Sequence, residues 1–179
     1  MSVSLKSCIS ACVKQLLPPN SSGHHSILKI PISVLVVIYK SNGDVLLIER
    51  ADKVGFWQSV TGSLDAPDED LSLAAAREVL EETGINVQSL SVGALQDMHH
   101  QIDYEIYPQW RHRYAPGVTR NTEHWFSLLV PDATPVTLAP REHVAYQWLP
   151  YIEAAKACFS KSNGEAILKL FSATKGGSV

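Results

Sequence analysis

The chain has 179 residues, of which 45% are hydrophobic and 18% are charged, a balance that predicts one globular domain with a sizeable core. Its formal net charge of −3 argues against a nucleic-acid partner, because no basic surface is expected. The three cysteines suggest no disulfide framework, and no stretch reaches the ~18 apolar residues of a membrane span. A soluble, cytoplasmic protein without a membrane partner is therefore predicted.

The first predicted strands follow a segment with the composition of a linker. Residues 1–27 end in PPNSSGHHS, which predicts a mobile or loosely docked N-terminal extension. We expect the folded domain to occupy residues 28–172 and a C-terminal tail to occupy 173–179. The β-branched run ISVLVVIYK (32–40) predicts a buried strand, and VLLIER (45–50) predicts its hairpin partner after the turn SNGD.

The rest of the chain predicts more strands and two clear helices. Further strands are expected at INVQSLSVG (85–93), YEIYPQW (104–110), TEHWFSLLV (122–130) and AYQWL (145–149). A central helix is expected over 71–83, with Asp70 as its N-cap and Gly84 in the left-handed position after it. Ser162 followed by Glu165 is a capping-box pattern and predicts the start of a C-terminal helix. Because strands dominate, the fold class is α+β with a mixed sheet.

The central helix carries a cluster of acids. Its apolar side chains share one arc, which is expected to face the core: Leu73, Ala76, Val79 and Leu80. Glu78 and Glu82 lie four residues apart on the opposite arc, with Glu81 and Arg77 beside them. Like charges at this spacing repel by roughly a few tenths of a kcal/mol, unless a hard cation such as Mg²⁺ binds between the carboxylates. The alternative is a solvated acidic face.

The sequence around this helix resembles the Nudix box. That pattern is G-x5-E-x7-R-E-U-x-E-E-x-G-U, where U is aliphatic, and every fixed position from Glu69 to Ile85 matches it. Six residues, instead of five, separate Gly62 from Glu69, so Asp68 stands at the nominal glutamate position. Counting back from Arg77 favours Glu69 as the box residue. The resemblance implies a Nudix α/β/α sandwich in which the box forms a loop–helix–loop.

Segments outside the box resemble a branch of this superfamily that hydrolyses dihydroneopterin triphosphate. They are ISVLVVIY, FWQSVTGS, RHRYAPGVTRNTE-WF and EH-AY-WL, within a similarity that runs from Lys29 to Ile167. The resemblance implies Mg²⁺-dependent release of pyrophosphate from this triphosphate in folate biosynthesis, with weaker action on dATP and other nucleoside triphosphates. The alternatives are specificity for dATP, 8-oxo-dGTP or a dinucleoside polyphosphate, and a non-catalytic module that binds a nucleotide.

The resemblance also implies roles for residues of the acidic cluster. Glu78 and Glu82 are carried over as Mg²⁺ ligands, and Glu142 in REHVAY as a ligand outside the box. Glu81 is either a further ligand or the base that activates water. The expected catalytic residues are therefore Arg77, Glu78 and Glu81.

Contacts to a small-molecule triphosphate, a pterin or purine nucleotide, are implied at two groups of positions. Lys29 and Arg50 are suited to phosphate oxygens, and Thr61 and Ser160 match further contacts. A segment matching the lining of a base pocket contains Tyr104, Glu105, Ile106 and Tyr107. The two tyrosines could instead be core residues, and the arginines of RHRY (111–114) could hold phosphate or pair with carboxylates. The protein is expected to be a monomer or a weak dimer.

Overall fold

The structure, a computed structural model, describes residues 28–175 and contains seven strands and three helices. In chain order these are β1 (Ile32–Lys40), β2 (Asp44–Arg50), β3 (Trp57–Gln58), β4 (Val60–Ser63), α1 (Leu71–Thr83), β5 (Leu95–Glu105), β6 (Arg120–Val130), β7 (His143–Pro150), α2 (Tyr151–Ala157) and α3 (Lys161–Lys175). The expected extension, 1–27, and residues 176–179 of the expected tail lie outside the described residues. None of the helices in the described range is long and apolar enough to cross a membrane.

All seven strands belong to one mixed sheet, which confirms the predicted α+β class. The main path runs β3-β2-β1-β6-β5, while β4 pairs with β1 and β7 pairs with β2. Strand β1 runs parallel to β6 from Ile32 to Lys40, and the other pairs are antiparallel. The continuous apolar sequence of β1 suits this central place, because a strand covered on both faces needs no polar side.

Helices cover both faces of the sheet. Because side chains alternate along a strand, Val34 and Val36 pack on the side of α1, whereas Leu35 and Val37 pack on the side of α2 and α3. The helices contribute small and aliphatic residues to the two core layers: Ala74, Ala75 and Val79 from α1, Ala154 from α2, and Ala166 and Ile167 from α3. This is the predicted α/β/α sandwich.

Two of the predicted strands are wrong. Residues 85–93 form no strand. They contain a 3-10 turn at Val87–Ser89, which begins after Asn86. The side chain of Asn86 accepts a backbone N–H within this turn, which competes with strand pairing. In YEIYPQW, only Tyr104–Glu105 extends β5, and Pro108–Arg113 forms a 3-10 helix. Proline cannot donate to a strand ladder and is well suited to a helical first turn.

The start of the C-terminal helix is also corrected. Helix α3 begins at Lys161, so Ser162 lies inside its first turn and is not the N-cap. The hydroxyl of Ser160 instead accepts the backbone N–H of Asn163 at 3.2 Å. Glu165 forms an exposed ion pair with Lys161 at 3.3 Å. The short helix α2 was not predicted at all.

Candidate active site

Helix α1 has the predicted bounds but buries a different face. Asp70 accepts the N–H groups of the first turn, and Gly84 follows with φ of 69°, as predicted. Leu73 and Leu80 are exposed, so their predicted place in the core is wrong. At about 100° per residue they lie opposite Ala75, whose small side chain permits close contact with the sheet. The buried arc contains Ala74, Ala75, Val79, Glu82 and Thr83.

Arg77 connects this helix to the loop that precedes it. Its Nε donates to Glu69 at 3.0 Å, its Nη1 to Glu78 at 2.8 Å, and its Nη2 to the carbonyl of Ser63 at 3.1 Å. The hydrogen bond from Arg77 lowers the pKa of Glu69. The pairing of Glu69 with Arg77 agrees with the count back from Arg77, which favours Glu69 over Asp68 as the box residue.

The three box glutamates lie in different environments. Glu82 is buried, Glu78 is half-buried, and the side chain of Glu81 is 58% exposed. One oxygen of Glu82 accepts the Thr61 N–H at 3.3 Å, and the other lies 3.3 Å from Nε2 of His143. The contact with His143 is a close approach that does not meet hydrogen-bond geometry. The acids are thus fixed to different degrees, and Glu81 has the most freedom.

Burial makes these acids costly to ionise. It raises the pKa of Glu78 to about 7, and it also raises the pKa of Glu82. The Glu78 carboxylate occupies space that a side chain at residue 62 would fill, since a Cβ on Gly62 would lie 1.8 Å from its Cδ. Two mutually repelling carboxylates, of which Glu78 occupies the space that Gly62 leaves free, favour a cation between or beside them.

A second group of potential ligands lies beside Glu82. One ligand atom each from Glu82, Glu142 and His143 lies within 4.8 Å of the others. Glu78 is not in this group, because its carboxylate is turned towards Arg77, although it lines the same cavity. Oxygen-rich donor sets of this kind suit a hard divalent cation, so the residues fit a metal centre.

Two cavities meet at this end of the sheet. The first, here called the acidic cleft, has a volume of about 630 Å³ and is lined by box and loop residues that include Arg77, Glu78, Glu81, Glu82, Glu142 and His143. The second, the aromatic pocket, has a volume of about 410 Å³ and is lined by residues that include Phe56, Tyr104, Glu105, Ile106, Tyr107, Trp110, Glu123, Phe159 and Ser160. Both are lined by Lys29, Arg50, Thr61, Gly62 and Arg113. Every site residue expected from the sequence therefore lines one or both cavities.

Aromatic side chains form two walls of the aromatic pocket. Phe56 stacks on Phe159 with ring centroids 3.3 Å apart, and Tyr107 meets Trp110 edge to face at 5.3 Å. The guanidinium of Arg50 lies 5.9 Å from the Trp110 ring, which places a cation where the pocket joins the acidic cleft. This combination suits a flat ring that carries a polyanionic tail.

The segment 104–107 is divided between the pocket and its rim. Tyr107 is 48% exposed, which contradicts its alternative reading as a core residue, whereas Tyr104 is half-buried and Ile106 is buried. Burial raises the pKa of Tyr104. The carboxylate of Glu105 is largely exposed and pairs with Arg111 at 2.5 Å, so this arginine of RHRY has a structural partner.

Several lining residues were missed by the sequence reasoning. His143 directly follows Glu142 in the matching EH pair, and that adjacency was an available signal. Glu123 is the one acid of β6 and stands two residues before the apolar part of that strand, which also could have been noticed. Phe159 and Trp110 carried no such signal, because their place depends on how distant segments meet.

Comparison with known proteins identifies the family. The NUDIX domain model matches residues 29–170. The chain belongs to the Nudix family. The dihydroneopterin triphosphate diphosphatase of Escherichia coli (strain K12) is 45% identical over 142 residues, covering 79% of this chain and 92% of that protein. The Haemophilus influenzae protein of the same name is 40% identical over 138 residues, covering 76% and 85%.

A solved Nudix structure agrees with these relatives. The structure of the E. coli dihydroneopterin triphosphate pyrophosphohydrolase superposes with a TM-score of 0.71 at 45% identity, covering 79% of this chain and 94% of that one. The predicted Nudix fold and enzyme class are confirmed, and the chain is a Nudix pyrophosphohydrolase. Nudix hydrolases generally depend on a divalent metal, and the acidic cleft contains a possible site for one.

Proposed function

We propose that this Nudix enzyme hydrolyses dihydroneopterin triphosphate to the monophosphate and pyrophosphate with Mg²⁺, and acts more weakly on dATP and other nucleoside triphosphates. The observation that carries this proposal is the shared wall of the two cavities, because Lys29, Arg50 and Thr61 line both of them. A triphosphate can extend through the acidic cleft while its ring occupies the aromatic pocket. Two relatives at 40% and 45% identity are named for this substrate.

Glu82 and Glu142, whose ligand atoms lie close together, would hold the Mg²⁺, and Glu78 of the same cleft would add a third carboxylate. His143, 3.3 Å from Glu82, would limit the movement of that carboxylate. Bound there, the ion would neutralise phosphoryl oxygens and lower the pKa of an attacking water. Arg77 positions Glu78 by a 2.8 Å hydrogen bond and so acts at the edge of this site.

Glu81 is assigned as the base that takes the proton from the attacking water. Within the described residues, Glu81 forms an ion pair with Arg77 at 3.4 Å, which is longer than the 2.8 Å ion pair between Glu78 and Arg77. The side chain of Glu81 is also the most exposed of the three, so its carboxylate can reach a proton without breaking a short hydrogen bond.

Three cations are suited to the phosphates. Lys29, Arg50 and Arg113 line both cavities, and burial, followed by the charge of Arg113, lowers the pKa of Lys29. An anionic triphosphate would offset both effects and favour the charged lysine. Thr61 adds a hydroxyl to the shared wall.

The substrate ring would lie among the residues of the aromatic pocket. Tyr104, Ile106 and Tyr107 form part of its lining together with the Phe56–Phe159 stack, and Ser160 lies where α3 begins. Glu105 remains a predicted contact at the rim. The cytoplasmic location and the monomeric or weakly dimeric state also stay predictions.

The test is a side-by-side kinetic comparison of dihydroneopterin triphosphate, dATP and 8-oxo-dGTP in Mg²⁺, with pyrophosphate and phosphate release scored separately. The proposal predicts the highest kcat/KM for dihydroneopterin triphosphate and stoichiometric release of pyrophosphate. A higher value for dATP or 8-oxo-dGTP, or release of single phosphates, would reject it. No turnover of any of them would favour the non-catalytic alternative.

A further inference from the structure

Glu123 is a buried acid at the base of the aromatic pocket that the proposed reaction has not used. It lies near the start of β6 between Ser33 of β1 and Ile102 of β5, and it is 4% exposed. Ser33, Ile102 and Glu123 all line the pocket. The carboxylate therefore lies on the sheet itself, under the space where α3 begins.

Among the described residues, the carboxylate of Glu123 has hydrogen-bond donors but no cation beside it. Trp125 Nε1 donates to Oε1 at 3.1 Å, and the Ser162 hydroxyl also favours the charged form. Across the side chains that the structure describes, no lysine, arginine or histidine forms an ion pair with it. A carboxylate offers about four acceptor positions, so these two donors leave part of its capacity unused.

A buried acid without a cation is costly, and this cost needs an explanation. Burial raises the pKa of Glu123, and the two hydrogen bonds oppose that increase without a countercharge. A ligand in the pocket that brought two further N–H donors would complete the set. The other acids of the pocket, Glu105 and Glu165, are less suited to this task. Glu105 already pairs with Arg111 and Glu165 with Lys161, and both side chains are exposed.

We propose that Glu123 selects the substrate ring, its carboxylate accepting hydrogen bonds from the adjacent ring N–H and amino group of a 2-amino-4-oxopyrimidine edge. Pterins and guanine share this edge. The proposal rests on the proposed function for the position of the triphosphate, and it adds the residue that distinguishes one ring from another.

Adenine presents a different pattern to the same carboxylate. Its amino group can donate, but the neighbouring ring nitrogen is an acceptor whose lone pair would face the carboxylate oxygen. A site that is built to pair with two donors discriminates strongly against a ring that offers one, because a buried polar group is then left unpaired. Weak action on dATP would follow from this mismatch.

The experiment compares the parent with Glu123→Gln, a change that keeps the volume and replaces one acceptor with a donor. We expect kcat/KM for dihydroneopterin triphosphate to fall about 30-fold or more, because one of the paired N–H groups now meets an NH₂ group. The value for dATP should hold or rise, because an amide pairs with the donor and acceptor of adenine.

Asp103→Asn is the matched control. Asp103 neighbours Ile102 on β5, is paired in register with Thr122 and lines neither cavity. It accepts the Thr122 hydroxyl at 2.6 Å through an oxygen that asparagine retains. Both rates should stay within about twofold of the parent. An equal loss of both substrates in Glu123→Gln would instead mean that Glu123 anchors α3 and does not select the ring.

A substrate pair tests the same contact without any variant. dGTP and dITP differ only in the 2-amino group, and their inhibition constants against the parent can be measured whether or not they are hydrolysed. We expect dGTP to bind at least about tenfold more tightly than dITP, and Glu123→Gln to reduce this preference to about twofold or less. Equal binding to the parent would overturn the inference. If the parent failed to hydrolyse dihydroneopterin triphosphate, the proposed function would fail, while this pair would still decide the role of Glu123.

Discussion

The acidic cleft and the aromatic pocket differ in how the chain builds them. Glu78, Glu81 and Glu82 of the cleft come from two turns of one helix, and Glu142 from one loop. The pocket draws its walls from segments far apart in sequence, such as Phe56 and Phe159. In this Nudix enzyme, most acids proposed to hold the metal thus come from one short stretch of sequence, whereas the pocket proposed to select the ring depends on tertiary structure. Changes in the acidic cleft should therefore alter the rate for every substrate, and changes in the aromatic pocket should alter the choice among substrates.

The most drastic way to isolate the cleft is to remove divalent metal. With excess EDTA we expect no measurable hydrolysis of dihydroneopterin triphosphate or dATP, and full recovery on addition of Mg²⁺, because the acids of the cleft alone repel a triphosphate. Pyrophosphate release is the readout. Undiminished turnover in the chelator would show that the acidic cleft works without a cation.

Glu82→Gln should have the next largest effect. This change keeps the volume of a buried ligand candidate and removes its charge, so we expect kcat to fall about 10³-fold at saturating Mg²⁺. The melting temperature should hold or rise, since burial disfavours the charged form of Glu82. Glu153→Gln, at an exposed acid in the first turn of α2, is the control and should keep parental kinetics. A kcat for Glu82→Gln within threefold of the parent would show that Glu82 does not hold the catalytic metal.

Gly62→Ala tests how tightly the cleft is packed. The new Cβ would lie 1.8 Å from Glu78 Cδ, so the carboxylate has to move, and a displacement of about 1 Å can cost ~10²-fold in rate. Gly93→Ala is a useful contrast, because Gly93 has φ of 81° and open space around it. That variant should lose about 1 kcal/mol of stability through backbone strain and keep its kinetics. Equal activities would show that the close approach of Glu78 to Gly62 is unimportant.

The pH dependence of stability gives a smaller signal from the cleft. The Glu78 carboxylate faces Arg77, Glu81, Glu82 and Lys29. Burial outweighs the hydrogen bond from Arg77 and raises the pKa of Glu78 from 4.5 to about 7. The native state then holds a proton that the unfolded chain loses above pH ~4.5, so stability falls as pH rises through this window. For chelator-treated protein we expect a loss of up to about 3 kcal/mol between pH 5 and 7.5, measured by urea unfolding. Mg²⁺ at pH 7.5 should restore much of it. A metal-independent, flat profile would contradict the assigned pKa.

The sequence predicted those parts of the molecule that depend on local pattern. The bounds of α1 follow from Asp70 and Gly84, and β1 follows from a continuous run of β-branched residues. The buried face of α1 could not be found from hydrophobicity, because Leu73 and Leu80 are more apolar than the alanines that contact the sheet. A helical wheel shows which residues share a side but not which side meets the sheet.

The site shows the same division. The Nudix box predicted the acids of the cleft. Counting residues back from Arg77 was enough to select Glu69, which pairs with that arginine. The proposed role of Glu123 could not be derived from its own strand alone, because it depends on the first turn of α3 as well as on Trp125, two residues along β6. The contact between Glu123 and α3 joins residues that are distant along the chain, and no spacing rule describes it.

The most direct test of the separation between the two regions is a crossed measurement of kcat/KM. Dihydroneopterin triphosphate and dATP would each be assayed with the parent, Glu82→Gln and Glu123→Gln at saturating Mg²⁺. We predict that Glu82→Gln lowers both values about equally and leaves their ratio within threefold of the parent, whereas Glu123→Gln changes the ratio by about 30-fold or more in favour of dATP. A large change of ratio in Glu82→Gln, or an unchanged ratio in Glu123→Gln, would contradict the assignment of chemistry to the acidic cleft and selection to the aromatic pocket.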